Sequence, residues 1–279
     1  MDHEKLNKAL KIWQQGPQFN KENYHSSTGF MSNSFIGDFQ KCEYDAVLRY
    51  AIKEKSEFNV NFAVGHLTEA YIFEGEEGFD KMVERYAENA LSERGGGYLK
   101  WVNDSLELAK SVTRHEQLVN LFRSEGSIYH ETLQFKLHGM DWRGEVDYLN
   151  LNKLSEIDLK TTKSNFKDKS WNETTRQKEN FIEAFNYHRQ RAVYQIGIRE
   201  KYDVVVVPRI LAVSKTTKSV RLFKFDDQDR LDYETQQLIP ITDRVKEVIS
   251  GEDAPSQCEV CANCVESENV MNEILVSKF

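Results

Sequence analysis

No apolar run in this 279-residue sequence is long enough to cross a bilayer. Runs such as Val204 to Val207 fall far short of the roughly 20 residues that a spanning helix needs. The opening MDHEKLNKALKIW lacks the apolar region of a secretion signal. The expectation is therefore a cytoplasmic protein with no membrane association. Positive charge is not in excess either: 37 Lys and Arg stand against 45 Asp and Glu, a net charge of −8. That excludes a chain that coats nucleic acid through bulk charge, but leaves room for an enzyme with a local basic channel. Repeats and low-complexity segments are absent. There are four cysteines, and a cytoplasmic protein seldom spends them on structural disulfides.

What is present is a globular composition, 39% hydrophobic and 29% charged. Leu6, Leu10 and Trp13 fall at helical spacing, so residues 2–15 read as an amphipathic helix ended by Gly16-Pro17. A second helix is expected over 34–53, with Ser34 as N-cap, and a third over 62–73, opening at Gly65. Residues 79–124 are charged and mostly helical, broken at Gly95-Gly96-Gly97. Strands are expected over 132–137, 203–214 and 219–225, with Val204 to Val207 buried on both faces. A long helix is expected over 175–200, and a closing helix or helix pair over 226–249, interrupted at Pro240. This order implies an α/β (α+β) fold with a mixed central sheet flanked by helices. We read 1–279 as a single domain, with a helical part (1–130), a sheet-and-helix part (131–225) and a C-terminal part (226–279).

The stretch WRGEVDYLNLNKLSEIDLKTTK, Trp142 to Lys163, carries the chemistry. It reads as two strands around a polar turn at Asn152 and Lys153. Alternation sends Ile157 and Leu159 one way and Asp158 and Lys160 the other. A tight hairpin brings Asp147 near Asp158, with Lys160 beside them. Two carboxylates and an ammonium at a strand end suit a divalent metal and the water it activates. The same short pattern also occurs on solvated hairpin faces. Glu69, on a largely apolar helix, is either an inward-pointing acid or an ordinary exposed one. Between Lys160 and Arg191 lie eight Lys or Arg against four acids, which is either a solvated face or a set of cations holding a phosphate backbone. Trp171 and Phe166 are candidates for stacking on bases.

Cys258, Cys261 and Cys264 form CxxCxxC, and Cys42 is remote. Three thiolates at this spacing plus a distant fourth suit a 4Fe–4S cluster. A tetrahedral Zn²⁺ site is the competitor, and unligated thiols are the third reading. Either metal would staple the two ends of the chain.

Together these pieces resemble the RecB-like branch of the PD-(D/E)XK nuclease superfamily, with the nearest likeness to phage exonucleases of the RecE type. The likeness runs from about Glu22 to Cys264. Ser32-Asn33-Ser34 with Phe39 and Cys42 is similar to the SxSxxxxFxxC opening of this branch. Gly65 with Glu69 and Phe73-Glu74 resembles the GxxxE form of the next motif, with Glu69 where His is commoner. Gly144 to Asp147 matches GxxD, Asp158-Leu159-Lys160 matches (D/E)xK, and Gln190 to Tyr194 carries QxxxY. The cysteines resemble the iron–sulfur staple of some members.

The resemblance implies a restriction-endonuclease-like core and Mg²⁺- or Mn²⁺-dependent hydrolysis of DNA, feeding phage-type recombination or repair. Asp147 would bridge the ions, with Asp158, the Leu159 carbonyl and Glu69 completing the shell. Lys160 would orient the water or stabilise charge, and Gln190 and Tyr194 would contact DNA or hold Lys160. It further implies a homo-oligomer working beside a single-strand annealing protein. Two other classes compete: a non-catalytic DNA-binding scaffold on a nuclease fold, and an iron–sulfur electron carrier. The latter explains the cysteines but not the carboxylates.

Overall fold

Asp2 accepts hydrogen bonds from the backbone of Glu4 and Lys5 and so caps α1, His3–Gln14. The computed structural model describes residues 1–20, 26–53, 58–91, 97–163, 165–172 and 175–267. The expected glycine break at Gly95-Gly96, and Glu22 where the likeness begins, lie outside the described residues.

The segment expected as one helix over 34–53 is two, α2 (Asn33–Phe39) and α3 (Glu43–Ile52). Ser32, not Ser34, caps α2, accepting from Phe35 N at 3.1 Å. Cys42 sits between the helices in an extended conformation and caps α3 through its sulfur. Helix α4, Val60–Arg85, starts earlier than expected because Asn59 caps it, and it kinks at Gly75, whose φ is +76°. Then come α5 (Ala87–Ala90), α6 (Lys100–Thr113) and α7 (Glu116–Phe122). Strands β1 (Ser127–Leu137), β2 (Met140–Asn150) and β3 (Ser155–Thr162) follow.

The helix expected from residue 175 starts later. Residues 177–179 form β5 (Gln177–Glu179), which pairs with β4 (Ser170–Asn172). Asn180 caps the short α8 (Phe181–Ala184), and left-handed Asn186 separates it from α9, Tyr187–Tyr202. Strand β6 is Val207–Ser214 and β7 is Val220–Lys224. The valine run is not a buried strand: Val205 is 54% exposed, and Gln195 Nε2 takes the carbonyl of Val206. The doubly buried stretch is Ile210 to Ser214. Helices α10 (Gln228–Gln236) and α11 (Leu238–Ser250) part at Gln237; Pro240 lies inside the first turn of α11, where its missing N–H costs nothing. Helix α12, Ala262–Glu266, is the last described element.

The chain divides into two compact units. One comprises residues 1–55, 136–143 and 237–279; the other comprises 56–135 and 144–236. The first is helical and buries Leu6, Trp13, Phe35, Ile36, Tyr44, Val47 and Val245, with Trp13 Nε1 bonded to the carbonyl of Val47. The second holds most of a five-stranded mixed sheet, ordered β1-β2-β3-β6-β7. Pair β2–β3 is antiparallel, β3–β6 parallel and β6–β7 antiparallel. Alternation splits its core. Ile157, Leu159, Leu211 and Val213 pack with Val64, Ile72, Leu108 and Val112 of α4 and α6. Ile210 and Ala212 pack on the other side with Phe181, Ala192 and Leu231 of α8, α9 and α10.

Candidate active site

The β2–β3 ladder pairs Tyr148 with Ile157. Asp147 and Asp158 come one residue beyond this pair, in the middle of β2 and β3, and each feels the other's charge. Asp147 Oδ2 accepts the backbone N–H of Leu159 at 2.7 Å, so a side chain takes over where the ladder stops. Asp158 and Lys160 share a face of β3, as alternation requires, and form an ion pair.

Helix α9 supplies the partner that sequence reasoning missed. Arg191 is fully buried and donates to Asp158 Oδ1 at 2.7 Å with one nitrogen, and to Glu156 with another. Its guanidinium carbon lies 4.7 Å from the centre of the Tyr194 ring. Glu156, Asp158 and Lys160 therefore form one charged row on β3, whose two acids are both held by a single arginine. The signal was available: acids at i and i+2 on a strand, and a cation set in the apolar run Arg191-Ala192-Val193. A Cβ at Gly144 would stand 2.8 Å from Tyr194 Cε1. The glycine of GxxD and the tyrosine of QxxxY thus occupy one contact.

Glu69 comes from α4 and is largely buried, its side chain 15% exposed. Its Oε1 accepts no hydrogen bond among the described residues, and the His130 Nδ1 lies 3.6 Å away. Burial, then the charges of Asp147 and Asp158, hold its carboxyl well above the usual range. Burial and Asp158 likewise push Asp147 up to about 7. Burial pushes Glu156 to about 7 against the pull of Arg191. For Asp158, burial is outweighed by Arg191 and Lys160, and its carboxyl sits below the ordinary range. The charges of Asp158 and Asp147 outweigh burial at Lys160 and fix it as a cation. Four carboxylates (Glu69, Asp147, Glu156, Asp158) meet only two fixed cations (Lys160, Arg191). Such a pocket favours an added cation.

The other expected residues fare differently. Gln190 reaches the Tyr194 hydroxyl at 3.5 Å, and its Oε1 is buried with no hydrogen-bond donor among the described residues. Arg189 and Arg191 are buried, so neither belongs to an exposed basic face, whereas Lys163, Lys167, Lys169, Arg176 and Lys178 are exposed. Phe166 packs on Phe181 and Phe223. It is half-buried, packed against the core. Trp171 is 50% exposed.

In the other unit, Cys42, Cys258, Cys261 and Cys264 bring their sulfurs within 4.8 Å of one another. This is a metal-compatible set, and the carboxylates form no set as tight among the described residues. Cys42 and Cys264 are buried, and all four are free of disulfides.

A family model described as PDDEXK-like domain of unknown function (DUF3799) matches residues 32–267. The crystal structure of a "Putative exonuclease" from Eubacterium rectale aligns with a TM-score of 0.79 at 21% identity, covering 94% of this chain and 98% of that one. The crystal structure of SSO0001 aligns at 13% identity over 84% of this chain and 93% of that one, with a TM-score of 0.31. No curated protein matches the chain.

Proposed function

Because the chain belongs to the PDDEXK-like family, we propose that it is a Mg²⁺- or Mn²⁺-dependent deoxyribonuclease acting as an exonuclease on linear DNA. The observation that carries this reading is the pocket of four carboxylates and two cations, with the buried Glu69 Oε1 free of hydrogen bonds. Carboxylate and carbonyl oxygens are the donors that Mg²⁺ and Mn²⁺ take. Asp147, Asp158, Glu69 and the Leu159 carbonyl would hold the ion or ions. A bound ion polarises the phosphate and lowers the pKa of a water toward hydroxide.

The chain's own groups do the rest. Lys160, paired with Asp158, would orient the water or oppose charge developing on the phosphate, and it need not act as the base where a bound metal supplies hydroxide. Arg191, itself held by Glu156, fixes the rotamer of Asp158. Exposed Lys163, Lys167, Lys169, Arg176 and Lys178 suit a phosphate backbone, and Trp171 suits an unstacked base. Gln190 and Tyr194 contact DNA or support Lys160. The name of the E. rectale protein agrees with exonuclease action. A role in phage-type recombination, as a homo-oligomer beside a single-strand annealing protein, completes the proposal.

The test is to incubate purified protein with linear duplex, circular duplex and single-stranded DNA, each with Mg²⁺, Mn²⁺ or EDTA. The expected result is loss of linear DNA with either metal, sparing of circles, and none with EDTA. Binding without cleavage under every condition would instead identify a DNA-binding scaffold.

A further inference from the structure

The cysteine set could hold a metal ion, separate in the chain from the carboxylates, and its spacing bears on which ion fits. Cys42 Sγ lies 3.5 Å from Cys264 Sγ and 3.9 Å from Cys261 Sγ, and Cys258 Sγ lies 3.9 Å from Cys264 Sγ. All four fall within 4.8 Å of one another. Four sulfurs around one ion at ~2.3 Å in a tetrahedron stand about 3.8 Å apart. A 4Fe–4S cluster gives each thiolate its own iron. Its sulfurs are then separated by an iron–iron edge as well as two iron–sulfur bonds, and they stand farther apart than any pair here.

Hydrogen bonds hold the sulfur-bearing segments in this arrangement. Cys261 N–H donates to Cys258 Sγ at 3.3 Å and Asp45 N–H to Cys42 Sγ at 3.5 Å. Asn263, between the last two ligands, donates to Asp45 Oδ1 at 2.8 Å. The backbone of Tyr44 donates to the Ser256 carbonyl at 3.0 Å. The strands of chain that carry the sulfurs are therefore bonded to each other around them.

We propose that Cys42, Cys258, Cys261 and Cys264 bind a single Zn²⁺ ion tetrahedrally, in place of the 4Fe–4S cluster that CxxCxxC suggests. Thiolates select such a soft-tolerant ion, and four of them leave no open position. The site is then structural and redox-inert, which removes the electron-carrier reading.

The experiment uses the full chain, purified anaerobically from iron-replete cells and dialysed against excess Mg²⁺ to clear the carboxylate pocket. Metal and acid-labile sulfide are then measured. The expected result is one zinc per chain, no labile sulfide and a colourless protein. Replacing the zinc with Co²⁺ should give the visible bands of tetrahedral thiolate cobalt. Cys258→Ser should lower the retained zinc at least tenfold. Four irons with four sulfides, a single iron, or a metal-free protein with paired disulfides would each overturn the proposal. These readouts do not depend on DNA cleavage, so the nuclease reading stands or falls separately.

Discussion

Arg191 is the residue on which the acidic row of β3 depends. It is buried with two carboxylates, and removing it strands both. Breaking a buried pair by deleting one partner costs about 3–5 kcal/mol. Arg191→Met should lower the unfolding free energy by about that much in urea titrations, and adding Glu156→Gln should recover part of it. An unchanged midpoint would refute the structural role. Gly144 is the second such residue, since a Cβ there meets Tyr194 at 2.8 Å. Gly144→Ala should cost about 1–3 kcal/mol through overpacking. The cost should shrink in a Tyr194→Ala background, a coupling that a double-mutant cycle reads directly. Strand alternation put Asp158 and Lys160 on one face, an expected hairpin brought Asp147 to them, and the family resemblance marked the three as a site. Glu156 on the Asp158 face and Arg191 in an apolar run were each visible singly, but charges 35 residues apart carry no local pattern that pairs them.

At the level of elements, periodicity located the helices well and their ends poorly. The break at Cys42 was hidden because apolar residues on both sides keep one helical face. The α8–α9 break was hidden because Asn186 adopts a left-handed turn that its neighbours do not advertise. Strand β6 was displaced because Val206 gives its carbonyl to a side chain. Helices α3 and α11 are joined by Glu43, which accepts from Arg244 at 2.9 and 2.8 Å and from Ser256 N at 2.8 Å. Burial raises the Glu43 carboxyl, but Arg244 and Ser256 outweigh it and hold it below its ordinary value of 4.5. A depressed carboxyl stabilises the fold fully above that value and loses its contribution as pH falls through the lower, folded one. Glu43→Gln should therefore flatten the acid side of the stability profile below about pH 5. An acid limb identical to wild type would show that the pair contributes nothing.

Across the whole molecule, the two units carry different chemistry: cysteines in one, carboxylates in the other. The mixed sheet with flanking helices was legible from the order of apolar periods. The division into two units was not, because each is assembled from segments far apart in the chain. If the four cysteines bind zinc as proposed, a chelator should lower the melting temperature and readdition of zinc should restore it, as calorimetry would show. The most direct test of the central claim is the cleavage rate of linear duplex DNA in Mg²⁺ by wild type and by Asp147→Asn, both shown folded by circular dichroism. Asp147 is placed at the centre of the acidic pocket, so the variant should lose cleavage by at least 10³-fold. Wild-type cleavage by Asp147→Asn would contradict the account.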